Sequence, residues 1–281
     1  MLRAALAILL LASTSPAAAR PGRAEAEPAV SDVHYGQDAE QVLDVFQPAA
    51  AGPHWLVVFL HGGGWTGGKK NVGRIAALPL VQAGYTVASV EYRKSPQTNP
   101  AGEVTDAADA IAYLLAHAQQ FGIKSQHFAV LGHSSGAHMV ALLGVDSRYL
   151  KAAGVDPARL AAVMTLDGVF DVTANLTHYP TEKRLGVFGN NQASWKTVSP
   201  VDLFGQMAAH PRFCIAHEDT VGRFVEQAGI FDAALQKRGE ALEMLTVHGI
   251  GHGGMVRRIT DPSEPMAGFV LGCLSRALPG K

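Results

Sequence analysis

The chain has 281 residues and a net charge of −1, from 23 Lys+Arg against 24 Asp+Glu. That length accommodates one large domain or two small ones and is ample for a sizeable core. The balanced charge excludes a protein that tracks nucleic-acid phosphates, and it favours a neutral substrate over an ionic one. With 48% hydrophobic and 17% charged residues the chain is not disordered, and two cysteines exclude a disulfide scaffold or a cysteine-based zinc module.

The first 19 residues are typical of a secretory signal peptide. Arg3 gives a positive start, residues 4–12 are uncharged and apolar, and residues 17–19 form a small-residue cleavage site. The apolar run is shorter than the roughly 20 residues that a membrane span needs. We therefore expect an exported protein, periplasmic or secreted, without a membrane span, and an uncleaved anchor is the alternative. Residues 20–30 are predicted as a flexible lead-in to one domain over residues 31–281.

Export places Cys214 and Cys273 in an oxidising compartment, where they are able to pair. Cys214 also lies in an apolar strand-like run and Cys273 in a final helix-like segment. Two separate buried thiols are equally compatible with that pattern. The sequence leaves this choice open.

Strand-like and helix-like segments alternate along the rest of the chain. Short apolar runs that are predicted as strands occupy residues 55–60, 85–90, 128–131, 160–166, 213–216 and 242–247. Amphipathic segments at residues 104–120 and 222–237 are predicted as helices. This alternation predicts an α/β fold, a mostly parallel sheet with helices on both faces. Residues 171–200 are rich in Asn, Thr, Pro and Gly and are predicted as a long irregular loop or a small cap.

The segment from Gly132 to Gly136 reads Gly-His-Ser-Ser-Gly and lies between a predicted strand and a helix. This is the G-x-S-x-G pattern in the context that it requires. The turn is so tight that residues two before and two after the serine must be small, a need that the glycines meet. Ser134 is therefore the predicted nucleophile, and the N-terminus of the following helix favours the negative charge that develops there.

A glycine run, His61 to Trp65, follows the first long apolar strand. Glycines allow backbone N–H groups to face a reacting oxygen with no side chain in the way, and the run matches the HGGG pattern of lipases and esterases. We predict an oxyanion hole from the N–H groups of Gly63, Gly64 and Ser135. A phosphate-binding loop is excluded, because the later Gly-Gly-Lys-Lys run ends in Asn71 where that motif needs Ser or Thr.

With these two motifs the sequence resembles the α/β-hydrolase fold. It is similar, more narrowly, to the HGGG/W esterases related to hormone-sensitive lipase, feruloyl-type esterases and kynurenine formamidase. The matching pieces are His61 to Trp65, Val90 to Arg93, Asp106, Gly132 to Gly136, Leu166 to Asp171, Val198 to Pro200 and His252. The resemblance implies an eight-stranded, mostly parallel sheet. It also implies hydrolysis of carboxylic esters, or less often amides, without a metal or organic cofactor.

The order Ser, acid, His that this fold follows places the acid after the strand 213–216 and the base after the strand ending near residue 247. His252 is the predicted base, since flanking glycines let its loop reach Ser134, and His248 is the competitor. Asp219 is the predicted acid, with Glu218 as the alternative. Related esterases have His-Gly-x-x-Asp after this strand, and the present sequence departs from that pattern.

No H-E-x-x-H motif or cysteine pair suits a metal, so we expect no catalytic metal. Aromatic and histidine residues in the irregular region either line a substrate pocket or simply pack there: Phe170, His178, Tyr179, Phe188 and Trp195. No substrate-binding residue is assigned. The short insert leaves little room for a large lid, which favours short or medium acyl chains or aromatic acids.

The sequence thus predicts a serine hydrolase that cleaves small-molecule carboxylic esters through an acyl-enzyme on Ser134. An arylformamidase-type amide hydrolase is the first alternative, because it shares these motifs. A non-catalytic binding protein on the same fold is the second, and the intact serine, oxyanion loop and histidine disfavour it. The natural substrate and the oligomeric state are left open.

Overall fold

A computed structural model describes residues 25–208, 210–240 and 242–278, with the backbone alone for Ser125. The predicted signal peptide, residues 1–19, lies outside these ranges, as do residues 20–24 of the lead-in. Within the ranges, no helix combines the length and the apolar composition that crossing a bilayer requires.

The described part of the chain forms one sheet of eight strands in the order β1-β2-β4-β3-β5-β6-β7-β8. The strands are β1 (Val30–His34), β2 (Val42–Phe46), β3 (His54–Leu60), β4 (Thr86–Val90), β5 (Ile123–His133), β6 (Leu160–Leu166), β7 (Arg212–Glu218) and β8 (Leu242–Val247). Strands β3 to β8 run parallel, and β2 runs antiparallel to both β1 and β4. This architecture confirms the predicted α/β-hydrolase fold.

The two strands that the apolar runs did not predict are β1 and β2. In β1 every residue except Val33 is exposed, so its sequence has no apolar run. In β2 all five residues are buried, but Asp44 interrupts the apolar pattern, and its carboxylate accepts a hydrogen bond of 2.6 Å from Lys70 Nζ. Because β2 has only five residues, its central charge leaves no apolar run longer than two residues, and hydrophobicity alone does not predict the strand.

Helices cover both faces of the sheet. They are α1 (Gly73–Gln82), α2 (Pro100–Ala116), α3 (Ser135–Val145), α4 (Ser147–Ala152), α5 (Val172–His178), α6 (Glu182–Phe188), α7 (Gln192–Lys196), α8 (Gly222–Gln236), α9 (Met255–Arg258) and α10 (Pro265–Ala277). Helices α2, α3 and α8 contribute to the core on one face, and α1, α9 and α10 to the core on the other. Helix α2 starts four residues earlier than predicted, because the Asn99 side chain caps it by accepting a hydrogen bond from the Gly102 N–H at 2.9 Å.

The region predicted as irregular, residues 171–200, contains the three short helices α5, α6 and α7. Their first turns are capped by the side chains of Asp171, Thr181 and Asn191, each of which accepts a hydrogen bond from a backbone N–H. Small polar residues favour loops and helix N-caps alike, which is why their density suggested a loop. The region is a small helical cap on the carboxyl edge of the sheet, which is the second of the two predicted alternatives.

The two cysteines are joined. Cys214 on β7 and Cys273 on α10 form a disulfide, with a Cα–Cα distance of 6.4 Å. The sequence left open whether the two cysteines pair or remain separate thiols. In the structure they pair, and the disulfide links the sheet to α10.

The described end of the lead-in is attached to the domain. Ala26 is buried, and its N–H donates a hydrogen bond of 2.9 Å to the carbonyl of Arg74 on α1. Glu27 pairs with the Arg74 side chain at 2.9 Å. Residues 25–30 thus pack against the fold, where the sequence predicts a flexible segment.

Candidate active site

Ser134 lies in the turn between β5 and α3 with a φ of +57° and a ψ of −118°. This conformation is uncommon for a residue with a side chain, and it exposes the hydroxyl above the sheet edge. A Cβ on Gly132 would lie 2.3 Å from the Gly136 carbonyl oxygen, and a Cβ on Gly136 would lie 2.2 Å from that of Leu60. The turn therefore needs both glycines, as the motif predicts.

His252 lies beside Ser134. Its Nε2 is 2.9 Å from Ser134 Oγ, so the structure brings together the predicted nucleophile and the predicted base. The imidazole is stacked between the rings of Phe224 and His133, with centroid distances of 4.4 Å and 4.6 Å. Burial, together with the charge of His252, lowers the pKa of His133 to about 4. His133 Nε2 donates to the His252 carbonyl at 3.1 Å, which fixes the backbone of the base.

The carboxylate next to His252 belongs to Asp167. Its Oδ2 lies 2.8 Å from His252 Nδ1, and its Oδ1 accepts a hydrogen bond of 2.8 Å from the Glu218 N–H. The side chain is fully buried. Burial raises the pKa of Asp167, and the hydrogen bonds from His252 and Glu218 act in the opposite direction. Asp167, His252 and Ser134 thus form a continuous hydrogen-bonded chain.

The prediction that Asp219 contacts the base is wrong. Asp219 Oδ2 lies 2.6 Å from Nδ1 of His248, the competitor for the base, and its Oδ1 accepts from the Gly249 N–H at 3.2 Å. The alternative, Glu218, points elsewhere too: its carboxylate accepts from the Thr220 N–H at 2.9 Å.

The strand order explains this correction. Strand β6 is the direct neighbour of β5, which carries the nucleophile, whereas β7 lies one strand farther away. A residue directly after β6 therefore reaches the base above Ser134. The signal for Asp167 was present in the sequence: an aspartate directly after a buried strand, between the serine and the histidine in chain order.

The glycine run lies against the nucleophile. A Cβ on Gly62 would lie 2.8 Å from Ser134 Cβ, and Gly63 and Gly64 have φ values of +151° and +63°. The Gly64 N–H donates to Ser135 Oγ at 3.1 Å. In the described part of the chain the Gly63 N–H has no acceptor. The structure thus places the residues of the predicted oxyanion hole together, and their role as donors stays a prediction.

His61 anchors this loop to the body of the domain. Its ring stacks on Tyr92 with a centroid distance of 4.5 Å, and the Tyr92 hydroxyl donates to the His61 carbonyl at 2.6 Å. His61 Nε2 is 3.3 Å from the carboxylate of Glu91. Burial raises the pKa of Glu91, but the contacts with His61 and Lys94 outweigh burial and lower this pKa to about 2. Ring stacking on Tyr92, the hydrogen bond from its hydroxyl and the contact with Glu91 hold the loop in place.

Ser134 opens into a cavity of about 360 Å³. Its lining residues are Gly64, Trp65, Ser134, Val169, Thr181, Lys183, Arg184, Arg223 and Phe224. The cap therefore contributes residues from α6 and the turn before it, and α8 contributes residues from its first turn.

The five side chains considered as pocket residues are not among those lining this cavity. Phe170 stacks on Phe231 in the core at a centroid distance of 4.5 Å, and Phe188 packs edge-on against Trp65 at 4.8 Å. Trp195 Nε1 donates to the Gly189 carbonyl at 2.9 Å. His178 pairs with Glu226 at 2.6 Å, and its ring is next to that of Tyr179. Phe170 therefore belongs to the core, and the other four side chains pack within or beside the cap.

In the described ranges, one group of side chains has the spacing of a metal site, with ligand atoms of His133, Asp167 and His252 within 4.8 Å of one another. Asp167 and His252 hydrogen-bond to each other, and His252 also contacts Ser134. His133 donates to a backbone carbonyl. Hydrogen bonding within the triad accounts for this spacing.

Comparison with known proteins shows one family whose model matches more than half of the chain. The BD-FAE family model matches residues 43–225. A kynurenine formamidase of Drosophila melanogaster is 24% identical over 86% of this chain and 80% of its own length. An isoprenylcysteine alpha-carbonyl methylesterase of Arabidopsis thaliana is 29% identical over 52% of this chain, and the match spans only 35% of the plant protein. Among solved structures, esterase B of Lactobacillus rhamnosis with a tributyrin phosphonate inhibitor has a TM-score of 0.75 at 19% identity, over 90% of this chain and 86% of that one.

Proposed function

The chain belongs to the BD-FAE family of α/β-hydrolase esterases, and from that premise we propose that it hydrolyses carboxylic esters through an acyl-enzyme on Ser134. One observation carries the proposal: the hydrogen-bonded chain of 2.8 Å from Asp167 to His252 and 2.9 Å from His252 to Ser134. A nucleophile, a base and a group that orients the base are the parts that acyl transfer needs.

In this mechanism His252 takes the Ser134 proton as Oγ attacks the ester carbonyl. Asp167 holds the Nδ1–H tautomer and stabilises the imidazolium. The oxyanion accepts hydrogen bonds from the backbone N–H groups of Gly63 and Ser135. Gly64 joins them once its N–H exchanges the Ser135 hydroxyl for the substrate oxygen. His252 then protonates the leaving alcohol, and water repeats the sequence on the acyl-enzyme.

Substitution of the nucleophile tests this function. We expect Ser134→Ala to lower kcat on p-nitrophenyl acetate by about 10⁶-fold, as triad knockouts do elsewhere, with an unchanged circular dichroism spectrum. Ser275→Ala, which removes the same hydroxyl from an exposed position on α10, is the matched control and should retain turnover. Labelling by a fluorophosphonate probe in the wild type, and none in Ser134→Ala, separates an enzyme from a binding protein. Near-normal turnover by Ser134→Ala would overturn the proposal.

A second candidate activity is hydrolysis of an N-formyl aromatic amide. It is supported by the similarity to a kynurenine formamidase, which extends over 86% of this chain. Rates on N-formylkynurenine and on phenyl acetate, measured with one enzyme preparation, decide between the two. A larger kcat/KM for the formamide would reverse the order of the candidates.

We also propose that the protein is exported and that its signal peptide is removed. The pattern of residues 1–19 supports this, and so does the disulfide, because such bonds persist in oxidising compartments. When the full chain is expressed in a Gram-negative host, the mature N-terminus should be Arg20. Recovery of the intact N-terminus from the cytosol would contradict the proposal.

A further inference from the structure

Three cationic side chains line the cavity that contains Ser134. Lys183 and Arg184 are on α6, and Arg223 is in the first turn of α8. We call these three residues the cationic rim. No carboxylate is among the residues that line the cavity in the described part of the chain.

The charges of the cationic rim are not neutralised by the protein. Within the described ranges, no carboxylate oxygen lies within 4.0 Å of the three side chains, whereas Arg148, Arg212 and Arg276 on the surface each have such a partner. Arg223 Nε is buried and has no acceptor there. Arg184 donates to the Tyr179 carbonyl, and burial lowers the pKa of its guanidinium.

The cationic rim is close to both halves of the catalytic machinery. Lys183 Nζ is 3.5 Å from the position that a Cβ on Gly64 would occupy, so it lies over the oxyanion loop. The Arg223 guanidinium lies 4.4 Å from the centroid of the Phe224 ring, and that ring stacks on His252. An ester bound at Ser134 therefore has these cations within reach of its substituents.

We propose that the cationic rim binds a carboxylate group of the substrate, so that the preferred esters carry a negative charge on their acid or alcohol part. The inference rests on the proposed ester hydrolysis and narrows its substrate class. Unpaired cations in a partly closed cavity attract an anion more strongly than cations in bulk water, and a carboxylate matches the donor geometry of arginine. The net charge of −1 for the whole chain, which favours a neutral substrate, does not describe this local field.

Matched ester pairs test the proposal. p-Nitrophenyl 4-carboxybenzoate and its 4-carbamoyl analogue have the same shape and differ by one charge on the acid part. 3-Carboxyphenyl acetate and 3-carbamoylphenyl acetate place the same difference on the alcohol part. After correction for the rate with hydroxide, we expect kcat/KM to favour the anionic ester by about tenfold in at least one pair. The preference should shrink as NaCl is raised to about 0.5 M, because salt screens exposed charges.

Three variants assign the preference to its source. Arg223→Gln should lower the anionic-to-neutral ratio by about tenfold, and Lys183→Gln, whose side chain is exposed and whose loss does not threaten folding, by about threefold. Lys151→Gln removes the same charge from an exposed position on α4 and should leave the ratio unchanged. An anionic-to-neutral ratio of kcat/KM of one or less for the wild type in both ester pairs overturns the proposal. The same ratio in all three variants also overturns it.

A binding measurement separates this proposal from the proposed function. Terephthalate and terephthalamide are titrated calorimetrically into Ser134→Ala, with and without Arg223→Gln. If terephthalate binds preferentially and Arg223→Gln abolishes that preference, the anion site on the cationic rim is supported even when no ester is hydrolysed. Absence of ester hydrolysis would contradict the esterase proposal alone. Equal binding of the two compounds overturns the anion site and leaves esterase activity to be judged by Ser134→Ala.

Discussion

Two aspartate–histidine pairs stand at the carboxyl edge of the sheet, and they differ in almost everything except distance. Asp167 and His252 are 2.8 Å apart, and Asp219 and His248 are 2.6 Å apart. The Asp167 side chain is fully buried, whereas 38% of the Asp219 side chain is exposed. Among the described residues, only the first pair continues to a serine hydroxyl. A short contact therefore does not identify a catalytic pair; burial and a third partner do.

The environments act on the two carboxylates in opposite directions. Burial raises the pKa of Asp167, while the hydrogen bond from His248 lowers the pKa of Asp219. A buried carboxylate carries a desolvation cost that its hydrogen bonds only partly offset. An exposed pair is surrounded by water and contributes little to stability. The role that we assign to the buried pair is therefore catalytic, since it does not add to stability. The exposed pair is an ordinary surface contact.

Among the changes that test this comparison of the two pairs, Asp167→Asn has the largest expected effect on activity. Asp167→Asn leaves the shape of the site but removes the carboxylate that fixes the His252 tautomer. We expect kcat on p-nitrophenyl acetate to fall by about 10⁴-fold, the size of the effect in chymotrypsin-type enzymes. A loss in Asp219→Asn that is as large as in Asp167→Asn would remove the distinction between the pairs.

The next effect concerns β7, the strand whose end carries Asp219 and supplies the Glu218 N–H to Asp167. Replacing both Cys214 and Cys273 by alanine opens a loop with a sequence separation of 59. The free energy of unfolding should fall by about 4 kcal/mol in the chain-entropy model, while kcat of the folded enzyme is retained. Urea denaturation of the variant and the wild type measures this. Coincident unfolding curves would mean that the sheet holds β7 without the bond.

A smaller effect is expected on the pH dependence of the free energy of unfolding, and it tests the burial of Asp167. The folded-state pKa of Asp167 lies above its ordinary value of 3.8, so the folded protein binds this proton more tightly than the unfolded chain does. The contribution of Asp167 to stability is therefore highest below about pH 4 and falls as pH rises through the folded pKa. Asp167→Asn should therefore gain in unfolding free energy relative to wild type as pH rises from about 4 through the folded-state pKa of Asp167. A gap that is constant with pH would contradict this assignment.

The smallest effect concerns the exposed pair. Asp219→Asn and His248→Gln should each change kcat/KM by less than about twofold, because surface contacts of this kind contribute little. The ester assay that is used for Asp167→Asn also serves here. A pH–rate profile that shifts in His248→Gln would show that the exposed pair influences the reaction.

Local patterns predicted the parts of the site that depend on chain neighbours. Ser134 needs glycines two residues away on either side, and His252 needs flexible flanks, so both were recognisable from short motifs. Asp167 was not, because its role depends on which strand lies next to β5, and sheet order is a property of the whole chain. Asp219 and Asp167 both follow a strand, and nothing within a few residues of either one separates them.

The same limit applies to the fold. Mostly apolar runs predicted the six parallel strands. Strand β1 is largely exposed, and the short strand β2 is interrupted at its centre by Asp44, which Lys70 neutralises from outside the strand. The cap helices were missed because their N-cap residues are also loop residues. The cationic rim forms because α6 and α8 come together at the cavity. A count of acidic and basic residues in the sequence does not predict such a local excess of positive charge.

The disulfide has a consequence for how the enzyme survives cleavage. Residues between Cys214 and Cys273 include Arg223, Phe224 and His252, so one wall of the cavity and the base belong to a single covalent ring. A protease that cuts the chain once within this ring leaves both fragments attached to each other. The nicked enzyme then keeps its base tethered to the sheet and comes apart only when a reductant is added. The export that we propose would expose the chain to extracellular proteases and to few thiols, and the ring would then protect the base and this wall of the cavity.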